Sequence, residues 1–390
     1  MSRLEALIAE LCPDGVEYKA LGDFATITRG GNFQKKDFTQ IGVPCIHYGQ
    51  IYTRYGLFAY QTITNINQEA ASKSKFASQN DIIMAVTSEN IEDVCKSVAW
   101  LGSDSIAVSG HTAIISHNQN PKYLSYYFYS SMFSAQKVKL AHGTKVIEVT
   151  PGKLKNIRIP LPPLPVQQEI VRILDNFTEL TAELTAELTA ELTARKKQYE
   201  YYRNRLLTFG ENVPRAKLVD IADISRGVRV VKKQLRPDGA YPVYQNCLAP
   251  MGYFDKYNCD ANATYVISAG AAGEVGFCDK DFWAADDCLV FSNPNGIINK
   301  YIYYFLMTKQ DFIRSNVRKA SIPRLSRMVI ENLKIPLLAL DEQARIVDIL
   351  DRFDTLCNDL TSGIPAEIEA RRKQYEYYRD KLLTFKEASA

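Results

Sequence analysis

Side chains of the types able to contact phosphates and base edges recur in matching places along this 390-residue chain. The first set is Arg29-Gly-Gly-Asn-Phe-Gln-Lys35-Lys36, followed by His47-Tyr48-Gly49-Gln50. Its counterpart is Arg226-Gly-Val-Arg229-Val-Val-Lys232-Lys233-Gln234, followed by Tyr244-Gln245-Asn246. Two further basic stretches, Lys137–Lys145 and Arg314–Arg327, complete the pattern. Lys and Arg neutralise phosphates, while Arg, Gln and Asn pair with base edges in the major groove. A single stretch of this kind is more often a solvated surface; its repetition in both halves raises nucleic-acid binding to an equal alternative. The candidate DNA contacts are Arg29, Lys35, Lys36, His47, Gln50 and Lys145 in the first half. In the second they are Arg229, Lys232, Lys233, Gln234, Gln245, Asn246 and Arg324.

Catalytic signatures are weaker. Pro13-Asp14-Gly15-Val16-Glu17-Tyr18-Lys19 imitates the carboxylate-and-lysine spacing of metal-dependent nucleases. That chemistry needs the Asp and the Glu/Lys pair to converge from separate elements, whereas Pro-Asp-Gly reads as a turn. Ser292-Asn293-Pro294-Asn295 resembles the Asn-Pro-Pro-aromatic loop of adenine methyltransferases but lacks the second proline and the aromatic residue. Gly270-Ala-Ala-Gly273-Glu-Val-Gly276 is the nearest glycine-rich stretch, and it reads as a hairpin turn rather than a cofactor cradle. No nucleophilic triad and no pair of catalytic carboxylates stands out, so catalytic and metal-ligating residues are expected to be absent.

These residues are positioned by an internal duplication. Segment 194–209 and segment 370–385 agree at 13 of 16 positions, and the offset of 176 continues without a gap back to Asn156/Asn332. A weaker repeat at an offset of 197 pairs Leu21, Asp23, Ala25, Ile27, Arg29 and Gly30 with Leu218, Asp220, Ala222, Ile224, Arg226 and Gly227. The expected fold class is α+β: two globular domains joined by two long antiparallel helices, as a pseudo-two-fold repeat. The expected boundaries are 1–155, 156–210, 211–331 and 332–390. Short β-branched runs (Val43–Ile46, Ile82–Val86, Ala107–Ile115) and a Tyr-rich helix over Pro121–Phe133 belong to the first globule. The proline-rich stretch 151–165 reads as an extended connector, and a helix follows to about residue 209. Within it, three copies of Thr-Ala-Glu-Leu over Thr181–Leu192 repeat Leu every four residues, a stripe that suits a wrapping partner helix. The second long helix is expected from about Asp341 to Phe385, with a kink or break at Ser362-Gly363-Ile364-Pro365.

Composition narrows the class. With 46% hydrophobic and 23% charged residues the chain is that of a globular protein rather than a disordered one. No apolar stretch is long enough to span a bilayer, and the acidic, amphipathic N-terminus is not a signal peptide. The eight cysteines are scattered without metal-ligand spacing, which points to reduced thiols in the cytoplasm. A net charge of +3 gives only weak support to nucleic-acid binding, so any DNA face must be locally basic.

Gly143-Thr144, the run Leu154–Asp175 with its Ile159-Pro-Leu-Pro-Pro-Leu-Pro-Val-Gln-Gln-Glu core, and the twin Lys-Gln-Tyr-Glu-Tyr-Tyr-Arg segments together carry a resemblance. The chain resembles the specificity subunits of type I restriction–modification enzymes over essentially its whole length. The Thr-Ala-Glu-Leu tandem places it beside the subfamily with such central repeats. The resemblance implies two target-recognition domains reading the halves of a split asymmetric site in double-stranded DNA. It also implies two methylation subunits bound to the helical regions, and restriction/translocation subunits that join them. No cofactor is implied on this chain: S-adenosylmethionine belongs to the methylation subunits, and ATP and magnesium to the restriction subunit. The candidate docking residues are Arg195, Lys197, Glu200 and Arg203 with Arg371, Lys373, Glu376 and Arg379. Alternatives are a coiled-coil scaffold without a DNA role and a fused DNA-modifying enzyme.

Overall fold

The computed structural model describes residues 2–358 and 363–388. It divides into two compact units, the first assembled from two distant stretches of chain and the second from one continuous stretch. One comprises Met1–Ala186 and Glu369–Ala390, the other Glu187–Ile368. Five helices matter here: α1 (Pro121–Phe128), α2 (Leu164–Leu206), α3 (Asn299–Thr308), α4 (Leu340–Asn358) and α5 (Ile364–Leu382). α2 contributes residues to both units, so the division falls within helices rather than at loops.

In the first unit the larger sheet runs Ala25–Arg29, Thr112–His117, Ile82–Ala85, Ser97–Trp100, Phe58–Ala59. The pairing is antiparallel except for the last strand. Ile82–Ala85 and Ser97–Trp100 are buried on both faces, which explains their unbroken apolar character. A second five-stranded sheet runs Phe38–Thr39, Thr64–Ile66, Val43–Ile46, Ile106–Val108, Lys75–Ala77. The second unit repeats the plan with fewer strands. Its sheets are Asp223–Arg226, Cys288–Ser292, Ala263–Ile267, Val275–Cys278, and Gly252–Phe254, Tyr241–Tyr244, Trp283–Ala284. The strands at the weaker sequence repeat, Ala25–Arg29 and Asp223–Arg226, occupy the same edge position in their sheets.

Helix ends follow local signals. Asn120 caps α1, accepting hydrogen bonds from the backbone of Lys122 and Tyr123, and Pro121 stands in its first turn. The expected Tyr-rich helix stops at Phe128, because Ser130 caps a separate helix, Ser131–Leu140, by accepting from Phe133 N. The second long helix is likewise divided, into α4 and α5. Pro365 takes the second position of α5, where its missing N–H costs no bond. Ser362, part of the expected break, lies outside the described residues. The proline-rich connector is not free-standing: Pro151–Leu154 is a helical turn, and Arg158–Pro160 pairs antiparallel with Tyr18–Ala20.

Each unit carries an antiparallel helix pair closed by the same aromatic stack. In the first, Phe177 lies over Tyr378 at 5.9 Å; in the second, Phe353 lies over Tyr202 at 5.6 Å. These four residues are two pairs at the 176-residue offset. The chain's end completes the first unit: Val16 N donates to Lys386 O (2.8 Å), and Ala388 N donates to Val16 O (3.0 Å).

Candidate nucleic-acid interface

The two basic turns form alike. Lys35 and Lys36 lie on the one-turn 3-10 helix Lys35–Asp37, closed by Asp37 Oδ2 accepting from Gln34 N at 2.8 Å. Lys232 and Lys233 lie on Lys232–Gln234, closed by Gln234 Oε1 accepting from Val231 N at 2.9 Å. All four lysines are exposed, and the offset between the turns is 197. Arg229 is exposed just before the second turn. Gln234 is exposed too, but its carbonyl oxygen is used to close the turn.

Around the glycine-rich hairpin of the second unit, several candidates converge. Ala271 N donates to Asn246 O (2.8 Å), Gly270 N donates to Pro323 O (3.1 Å), and Arg324 bridges Ala269. Gly270 and Gly273 have φ of +87° and +90°, which the tight return between Ala263–Ile267 and Val275–Cys278 requires. Asn246 and Arg324 are therefore exposed on one patch, with Gln245 half-buried beside Asn246. In the first unit Lys145 is exposed, and Arg29 donates from Nε to Gly110 O (2.8 Å) while its guanidinium lies 3.4 Å from Glu148.

His47 and Gln50 are not on this surface. His47 is buried against the rings of Phe33, Phe38 and Tyr48, and its Nδ1 accepts from Gly49 N. Gln50 Oε1 accepts from His47 N (2.9 Å), and its Nε2 donates to Thr64 (3.1 Å). The pair caps the helix Tyr48–Thr53, a local role that outcompetes base reading. Burial, aided by the charges of Lys35 and His111, lowers the His47 pKa from 6.5 to about 4. Between those values the unfolded chain binds the extra proton, so stability present at neutral pH is lost as pH falls. The expected loss for His47 is at most about 3 kcal/mol. His117, lowered by burial to about 4, acts with the same sign. Denaturant midpoints between pH 7 and 4 check this: replacing both histidines with Gln should flatten the dependence.

The catalytic look-alikes resolve into structure. Gly15 N donates to Cys12 O in a turn, and Glu17 pairs with Lys19 at 3.1 Å. Asn293, at φ +48°, donates to Asp223 at 2.8 Å, and the Ser292–Pro294 turn borders a cavity of about 570 Å³. No cluster of metal-ligating side chains is present among the described residues.

On the twin segments, Lys197, Glu200, Arg371, Lys373 and Glu376 are exposed, and Arg195 is half-buried. Arg203 and Arg379 belong instead to the helix seam. Each guanidinium lies over the tyrosine one turn earlier, Tyr199 at 5.4 Å and Tyr375 at 5.9 Å. Arg379 also pairs with Asp380 at 2.9 Å, and its side chain is only 11% exposed. Sequence reasoning passed over Tyr201 and Tyr377, the most exposed aromatics of these segments, each edge-on to the tyrosine that follows it.

It also passed over the anchors that hold each globule to its helices. Gln167, fully buried, accepts from Asn120 N and donates to Pro162 O; Gln343 accepts from Ile298 N and donates to Leu338 O. About two turns further on, Asp175 takes Lys122 (2.6 Å) and Tyr126 (2.8 Å), and Asp351 takes Lys300 (2.9 Å) and Tyr304. The signal was available: Gln167/Gln343 and Asp175/Asp351 both fall on the 176 offset.

Residues 13–194 and 211–370 match the family described as the type I restriction modification DNA specificity domain, twice over and across most of the chain. This chain belongs to that family. It is 36% identical over 290 residues to a chain of Haemophilus influenzae named as a type I restriction enzyme specificity subunit, covering 68% of this chain and 72% of that one. To the Escherichia coli EcoR124I/EcoR124II specificity subunit it is 34% identical over 264 residues, 59% of this chain and 63% of that one. One solved structure, from work on assembly and conformational transition of a type I restriction–modification system, matches with a TM-score of 0.72 at 17% identity. It covers 96% of this chain and 98% of the other. The HsdS subunit of Thermoanaerobacter tengcongensis matches at 0.55 and 16%, covering 96% and 97%. At these identities the structures establish the shared fold of specificity subunits. As a specificity subunit the chain is a recognition component rather than a catalytic one. No helix among its described residues is long and apolar enough to cross a membrane.

Proposed function

We propose that each globular part reads one half of a split, asymmetric DNA target, and that the twin helical segments each dock one methylation subunit. The observation that carries this reading is the duplicated anchor: a buried glutamine and an Asp–Lys–Tyr cluster fix a globule to its helix pair in both units. Two separately anchored recognition modules suit two half-sites. The exposed Lys35/Lys36 and Lys232/Lys233 turns supply phosphate contacts, and Asn246 and Arg324 are candidates for base contacts.

For docking, near-identical surfaces are what two copies of one partner require. Tyr201 and Tyr377, 58% and 62% exposed, supply the aromatic anchors that interfaces favour. Restriction/translocation subunits join this complex. S-adenosylmethionine is then held by the methylation subunits, and ATP and magnesium by the restriction subunit. The eight cysteines are unpaired, which suits a reducing cytoplasm.

Replacing Tyr377 with Ala and Lys373 with Glu should leave a complex containing one methylation subunit instead of two, while the matching changes at Tyr201 and Lys197 remove the other. Native mass measurement reads the stoichiometry directly. Two methylation subunits retained by the doubly altered segment would move the docking surface elsewhere.

A further inference from the structure

Loop 142–148 and loop 318–324 occupy the same place in their respective units, 176 residues apart. Each is closed at its base by a reciprocal pair of backbone hydrogen bonds. His142 N donates to Glu148 O (3.0 Å) and Glu148 N to His142 O (2.8 Å); Arg318 N donates to Arg324 O (2.8 Å) and Arg324 N to Arg318 O (3.1 Å). Each base is pinned to the larger sheet's strand ends. Glu148 pairs with Thr87 and Arg324 with Ala269, and the next residue donates its N–H to the sheet, Val149 to Val86 O and Leu325 to Ser268 O. Val149 and Leu325 are buried. Gly143, at φ +107°, turns the first loop where a Cβ would strike the Val146 carbonyl. These are fixed loops, not loose ones.

At the tip of each stands an exposed branched aliphatic side chain, Val146 at 58% and Ile322 at 54%. The loop sequences otherwise differ, His-Gly-Thr-Lys-Val-Ile-Glu against Arg-Lys-Ala-Ser-Ile-Pro-Arg, yet the aliphatic position is kept. Its surroundings are cationic. The second loop carries Arg318, Lys319 and Arg324 and no acid; the first carries Lys145, and its single carboxylate, Glu148, faces Arg29 at 3.4 Å. An apolar tip with a cation beside it on a braced loop is poorly matched to water and to an apolar protein face. It is well matched to duplex DNA, where cations take the phosphates and an aliphatic side chain enters between base pairs.

We infer that Val146 and Ile322 are apolar wedges, each entering a base step of the half-site read by its own unit. This inference rests on the DNA-reading function proposed above. It assigns to the two loops the task of opening or kinking the duplex, separate from the reading of base edges.

The test uses the complete methylation complex and target duplexes carrying 2-aminopurine at successive positions. Its fluorescence rises when the base unstacks. The wild-type complex should raise it at one step in each half-site. Val146→Ser should abolish the rise in one half and Ile322→Ser in the other, each weakening target binding about tenfold, while Val146→Ile preserves both. Thermal unfolding of the exposed-site variants should match wild type, which separates the effect from misfolding. Tight binding with no rise at any position overturns the wedge and leaves the DNA reading standing. Loss of a methylation subunit from the serine variants, with DNA binding unchanged, overturns it in favour of a protein contact. Failure of the wild-type complex to bind any duplex overturns the DNA reading itself.

Discussion

Removing Thr181–Leu184 from α2 is expected to shorten the gap between the two half-sites by one base pair and to keep methylation active. Four residues contribute roughly 6 Å of rise and about 40° beyond a full turn. One base pair advances the duplex ~3.4 Å and turns it roughly 35°. Rise alone would allow nearly two base pairs, but the rotation matches one. Deleting or inserting one, two or three residues should instead abolish activity, because each rotates everything beyond it by about 100–300°. The Leu stripe would then miss its partners. Leu184, Leu188 and Leu192 are half-buried, and Leu192 packs into the core of the second unit. Mapping the methylated target of the four-residue deletion decides: an unchanged gap with full activity would reduce the tract to a filler.

Gln343→Leu is expected to destabilise the second unit by ~2–4 kcal/mol. The substitution keeps most of the side-chain volume. It strands Ile298 N–H and the carbonyls of Leu338 and Gly296, all now satisfied by one fully buried amide. Leaving buried donors and acceptors unpaired costs more than the bonds themselves contribute. Hydrogen exchange at Ile298, where α3 begins, should accelerate, and discrimination at one half-site should weaken while the other is unaffected. A stability change under about 0.5 kcal/mol would show that the glutamine merely fills space. Gln167→Leu should behave alike in the first unit, where the amide serves Asn120, Gln119 and Pro162.

What was legible in the sequence was mainly local or repeated. The duplication gave the paired plan, and the amphipathic pattern of the N-terminus marked the helix Arg3–Leu11. The glycine pair at 270 and 273 marked its hairpin. Non-local pairing was hidden: nothing near Arg158–Pro160 says that its partner is Tyr18–Ala20, so a strand looked like a connector. His47 and Gln50 were misassigned because capping and base reading use the same side chains. Their spacing of three, His-x-x-Gln before an apolar run, was the distinguishing mark. Arg203 and Arg379 were placed on the outer face because helical spacing alone does not show that a guanidinium folds back over the ring one turn earlier. The base-reading surface is the least legible part, since recognition loops are shaped by what they contact and not by any helical or strand period.

The central claim, that each globule reads its own half of a split target, is tested most directly by sequencing methylated DNA from cells carrying this chain with its partner subunits. The measurement should then be repeated after residues 16–150 are exchanged for those of a relative. The expected result is one bipartite, asymmetric target whose one half changes with the exchange while the other half and the modified base stay the same. A contiguous target, or an exchange that alters both halves together, would contradict the account.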